Sequence, residues 1–122
     1  MSRSGIVAAA LLLSSACSLP LWDRSARIAR LTFDGDWHPF DSDVYQAALS
    51  VKFPDGSAFS GLEAFVGRLK GDCRERSTEP GVIWCEIPVR GGICWAQMIG
   101  IEVKTEAQTI ASLKVHSGGL GC

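Results

Sequence analysis

The residues of this 122-residue chain that could do chemistry are five cysteines, two histidines, a cluster of carboxylates and a pair of tryptophans. Cys17 stands apart in "LLLSSACSLP", and Cys73, Cys85, Cys94 and Cys122 follow in the second half. There is no C-x-x-C, so neither a dithiol redox pair nor a knuckle-type zinc site is indicated. The four later cysteines form an even set, which suits two disulfides in an oxidising compartment. "DGDWHPFDSD" brings Asp34, Asp36, Asp41 and Asp43 together with His38. Calcium takes carboxylate oxygens on such loops, but the EF-hand frame is missing: its sixth place lacks glycine and its twelfth lacks glutamate. Aspartate and proline also populate turns for backbone reasons. The four aspartates are therefore the metal candidates of a loop expected to be solvated, with no metal held.

Catalytic patterns are absent. No serine sits in a nucleophile-elbow glycine frame, and "RGG" lies between two strands rather than in a phosphate-cradling strand-to-helix loop. The expectation is a non-enzymatic protein without cofactor, a small hydrolase built on His38 or His116 being the alternative.

The elements that must position these residues follow from periodicity. "WCEIPVRGGICWAQ" reads as a hairpin turning at Gly91-Gly92, a pair suited to tight turns. Arg90 would then face Ile93, Val89 face Cys94 and Cys85 face Met98. That register sets Cys85 and Cys94 about 13 Å apart along the strands, too far to bond. Two pairings remain: Cys73–Cys85 with Cys94–Cys122, or Cys73–Cys94 with Cys85–Cys122. The first is preferred because the chain from Cys73 to Cys85 need only double back once. On one hairpin face Ile83, Cys85, Ile87, Val89, Cys94, Ala96 and Met98 form an apolar surface. Trp84, Trp95, Glu86, Pro88 and Gln97 share the other, a candidate recognition surface unless other segments cover it. Ile101 and Val103 fall out of phase, which predicts a bulge near Gly100.

"SGLEAFVGRLKG" predicts a helix. Ser60 and Glu63 have capping-box spacing, Leu62, Phe65, Val66 and Leu69 form one stripe, and Gly71 ends it. "RIARLTF" and "VYQAALSVKF" are expected as strands, the second from its period-two alternation. "PDG" (Pro54 to Gly56) turns the chain, as does "TEAQ", and "TIASLKVH" adds a last strand with Ala111, Leu113 and Val115 inward. The predicted order is β-β-α-β-β-β: an α+β fold, an antiparallel sheet of about five strands with one short amphipathic helix packed on one face and two disulfides.

The N-terminus carries the three parts of an export signal: Arg3, the apolar run Ile6 to Leu13, and the small residues Ser14 to Ala16. The run is much shorter than the roughly 20 residues a spanning helix needs. "LSSAC" resembles the lipobox of bacterial lipoproteins, with Ala16 and Ser15 in place and Ser14 where leucine is usual. The resemblance implies cleavage before Cys17 and attachment of a diacylglycerol to it. Ser18 in the next position then resembles the residues that permit sorting to the outer membrane. Lipidation would also account for the cysteine left over by two disulfides. The alternative is ordinary cleavage near Ala16 and a soluble periplasmic or secreted protein.

The expected organisation is a signal peptide (1–16), a lipid-anchored tether (17–26) and one α+β domain (27–122). Loss of Arg3 leaves eleven basic against thirteen acidic residues, a net charge of −2. That balance gives no reason to expect nucleic acid. The expected partners are the membrane, through the N-terminal lipid, and a protein or other envelope component.

Overall fold

The computed structural model describes residues 20–33, 41–76 and 78–121. The order is β1 (Trp22–Asp23), α1 (Ser25–Phe33), α2 (Ser42–Lys52), α3 (Phe59–Arg68), β2 (Asp72–Glu75), β3 (Val82–Gly91), β4 (Trp95–Glu106) and β5 (Thr109–Gly121). The five strands form one antiparallel sheet in the order β1-β3-β4-β5, with β2 also paired to β3. The α+β class and the strand number agree with expectation. Three helices, rather than one, stand in the described chain.

Two expected strands are helices, and their starts explain why. The Asp23 carboxylate accepts hydrogen bonds from the Ser25 hydroxyl and, at 2.8 Å, from its backbone N–H, opening α1. Those bonds, hydroxyl first, hold the Asp23 carboxyl below its ordinary pKa, with Arg90 assisting against the cost of burial. Ile28, Ala29 and Thr32 then face inward. Asp41 caps α2, its side chain accepting from the N–H groups of Asp43 and Val44 at 2.9 and 3.3 Å. Tyr45 and Leu49 are buried one turn apart, and Phe53 packs against the same core. Val51, at 83% exposure, breaks the period-two pattern that favoured a strand.

Helix α3 falls where expected, with Leu62, Phe65 and Val66 buried. Its capping box does not form. Ala58 precedes the helix without a side-chain bond, and the Phe59 N–H donates to the Gln108 carbonyl at 3.0 Å. The chain reverses at Lys70 (φ 64°), one residue before the expected Gly71. Gly71 serves close approach instead, since a Cβ there would lie 2.2 Å from the Glu86 carbonyl oxygen of β3.

The helices cover one sheet face. Cys85, Ile87, Val89, Ile99, Ile101, Val103, Ile110, Leu113 and Val115 meet Ile28, Tyr45, Leu49, Leu62, Phe65, Val66 and Leu69 in one buried core. The β3–β4 register is not the expected one: Cys85 faces Ile101, Ile87 faces Ile99 and Arg90 faces Gln97. The turn is longer than a Gly91-Gly92 hairpin, closing with the Gly92 N–H on the Trp95 carbonyl. A bulge lies at Val89, between Pro88 and Arg90, and another at Ala111, which is exposed while Ile110 turns inward. No bulge is needed at Gly100, because this register already aligns Ile101 and Val103 with Cys85 and Ile83.

Among the described residues one disulfide is present. Cys73 and Cys85 are register partners across β2 and β3, bonded at 2.09 Å with Cα atoms 4.0 Å apart. The other expected bridge is not seen: Cys94 is a free, exposed thiol, and Cys122 lies outside the described residues. Within the segment expected as a tether, Trp22–Asp23 form β1 and α1 begins at Ser25.

Candidate binding face

Strand alternation leaves a second sheet face, opposite the helices, and its residues follow from the register. Trp84, Glu86 and Pro88 of β3 stand opposite Glu102, Gly100 and Met98 of β4, which in turn face Lys114, His116 and Gly118 of β5. β2 adds Arg74 beside Trp84 and Asp72 beside Glu86. No described element packs over this face.

Trp84 is its centre. A Cβ on Gly100 would lie 2.4 Å from the indole, so the six-membered part of the ring rests against the glycine of the neighbouring strand. Its N–H donates to Glu86 Oε1 at 2.8 Å. The Arg76 guanidinium sits 4.9 Å from the ring centroid on one side, and the His116 ring 5.4 Å away on the other. Glu102 Oε1 is 3.8 Å from His116 Nε2 and 4.0 Å from Arg76. The half-buried indole thus divides two shallow depressions. One, of about 160 Å³, is lined by Met98, Gly100, His116 and Gly118; the other, of about 270 Å³, by Asp72, Arg74, Arg76 and Glu86.

The structure separates residues that the sequence had grouped. Trp84 and Glu86 are neighbours on the uncovered face, whereas Trp95 and Gln97 fall on the other alternation phase of β4, with Ile99. Gln97 accepts from the Arg90 guanidinium at 2.8 Å, and Trp95 faces Gly121 at the far end of the sheet. The physical cause is the altered register, which shifts β4 against β3. His116, Met98 and Arg76 join the site unforeseen. For His116 the signal lies in the alternation of β5, where Leu113 and Val115 face inward; Met98 changes face with the β3–β4 register, and Arg76 follows the end of β2.

The acidic stretch contributes no ligand set among the described residues. Asp41 is occupied as a helix cap and Asp43 lies in the first turn of α2, while Asp34, Asp36 and His38 lie outside the described residues. His116 has a carboxylate and an indole beside it, but its Nε2 has no hydrogen-bond partner, and Ser117 alternates to the opposite side of β5. That arrangement supplies no activated nucleophile.

Free sheet edges are restricted. Gln46 of α2 closes part of the β5 edge, its amide donating to the Leu113 carbonyl and accepting from the Val115 N–H, both at 2.6 Å. Among the described residues no helix is long and apolar enough to cross a membrane. A disulfide is compatible with a periplasmic or extracellular location. Neither family models, nor curated proteins, nor solved structures yield a match to this chain.

Proposed function

We propose that this chain is a small lipoprotein of a bacterial envelope that acts by binding a protein partner through the sheet face centred on Trp84, without catalysis. The observation that carries the reading is a five-stranded sheet whose described helices all lie on one side. The uncovered side joins apolar surface at Trp84, Met98 and Pro88 to charges of both signs at Arg74, Arg76, Glu86, Glu102 and Lys114. Apolar centre with a polar rim is the anatomy of a protein interface. Glycan stacking is less well served, because the Trp84 ring is already engaged by Gly100, Arg76 and His116.

The export signal, the LSSAC motif and the Cys73–Cys85 bridge support an anchored envelope location, with Ser18 favouring the outer membrane. A second bridge, Cys94–Cys122, completes the set. The even set of four cysteines after Cys17 supports it in an exported chain. The soluble periplasmic form is the second reading, which Ser14 in place of the lipobox leucine keeps in play.

Photo-cross-linking in cells tests the binding reading. A photoreactive residue at Glu86 or Lys114 should give a discrete protein adduct, and the same residue at Glu63 or Gly67 on α3 should not. Equal adducts from both sides, or none from Glu86 and Lys114, would remove the proposal.

A further inference from the structure

The end of the sheet at the β3–β4 turn gathers apolar side chains that the core does not use. Ile93 in the turn is 82% exposed and Leu21 is 69% exposed. Gly91 is the reference point: the Leu21 N–H donates to its carbonyl at 2.7 Å, the Trp22 indole lies where its Cβ would be, and Ile93 follows two residues on in the turn. The Trp95 carbonyl oxygen packs against the same glycine, placing a second half-exposed indole residue at this end. Two cations flank the group. The Arg24 guanidinium lies 5.1 Å from the Trp22 ring centroid, and exposed Arg90 follows Val89 on β3. The nearby carboxylate, Asp23, is engaged by Ser25 at the start of α1 and is the cross-strand partner of Arg90.

We infer that this tip is a membrane-contacting surface, seated in the interfacial layer of the bilayer to which Cys17 is attached; the inference rests on the lipid anchor proposed above. Three residues stand between Cys17 and Leu21, four backbone steps with a reach of at most about 14 Å. A diacylated Cys17 lies at the bilayer surface, so the tip is held within that distance of the headgroup layer. Leu21 and Ile93 supply the apolar contact. Trp22 and Trp95 suit the headgroup level where indoles concentrate, and Arg24 and Arg90 match phosphate charge. The β4–β5 turn at Ala107-Gln108 then points away from the membrane, about 36 Å along β4, leaving the Trp84 face open to a partner.

The test uses the acylated full-length mature chain in phosphatidylethanolamine–phosphatidylglycerol vesicles with brominated acyl chains. Bromine should quench part of the tryptophan emission. W22F/W95F should remove the quenched part, W84F should leave it, and Ile93→Asp should reduce it while the protein stays vesicle-bound. Absence of quenching, or quenching unaltered by W22F/W95F, would overturn the inference. Intact mass of the chain reports the anchor separately. If Cys17 proves unmodified, the anchor reading fails, and a leader from an efficiently acylated lipoprotein restores the lipid at Cys17 so that the same quenching decides the tip.

Discussion

The Trp84 indole occupies the space that a side chain on Gly100 would need, two strands meeting ring to backbone on the face the helices leave bare. Gly100→Ala therefore sets a methyl 2.4 Å from a ring carbon, and the indole must lift away from the sheet. The expected cost is about 1–3 kcal/mol, as for other overpacked sites. The check is denaturant unfolding together with near-ultraviolet circular dichroism, in which the Trp84 contribution should change. Gly118→Ala on the neighbouring strand, where nothing stands within 4 Å of the added carbon, should leave both signals as they are.

Gln46 is the second device that sequence reading passes over. Its amide completes both backbone groups that β5 turns outward at Leu113 and Val115. Gln46→Met keeps the length and removes the bonds, leaving a part-buried C=O and N–H unpaired at about 1–3 kcal/mol. Hydrogen exchange at the Val115 amide should accelerate in this variant, while the Ile101 amide on β4 stays protected.

Reduction of Cys73–Cys85 should lower stability by about 2–4 kcal/mol, because the bond closes β2 onto β3 and restricts the unfolded chain. β2 has four residues, and the bridge supplements a short ladder. Peptide mapping without reductant should recover Cys73 joined to Cys85, and Cys94 joined to Cys122 in exported protein. A Cys73–Cys94 peptide would contradict the register.

The chain has a single tyrosine, so its titration is read without interference. Burial pushes the Tyr45 phenol above its ordinary value of 10.0. A raised folded-state pKa contributes stability that is full below the unfolded value and is lost as pH climbs toward the folded one. Phenolate absorbance should therefore appear later in native protein than in denaturant. Stability should begin to fall above pH 10, and Tyr45→Phe should remove that component.

Much of the fold was legible wherever a local pattern had a single meaning. The stripe Leu62, Phe65, Val66 and Leu69 is helical on any count, and the Pro54–Gly56 turn closes with the Ser57 N–H on the Pro54 carbonyl. The α2 segment had two meanings. Tyr45, Leu49 and Phe53 recur every fourth residue, which satisfies a period of two as well as a helical turn. Only the exposure of Ala47 and Val51 tells them apart, and exposure is a tertiary fact. The same segment hid a cap, because Asp41 was weighed with its acidic neighbours as a metal ligand. The hairpin register failed for a related reason. Gly91-Gly92 favours a tight turn, but burying Ile99, Ile101 and Val103 against Ile87, Cys85 and Ile83 outweighs turn preference, so the loop lengthens and Val89 bulges. Trp84 keeps its place on the uncovered face because its alternation with Ile83 and Cys85 lies within β3; Trp95 does not, because its phase against β3 depends on the turn.

The proposed location, partner access and seating of the tip all rest on one proposed covalent event at Cys17. Intact-mass and N-terminal peptide mass spectrometry of the protein from cells expressing it with its own leader measures that event directly. The predicted result is a mature chain beginning at Cys17 and carrying a diacylglyceryl group. A mature chain beginning elsewhere, or at Cys17 with an unmodified thiol, would contradict it.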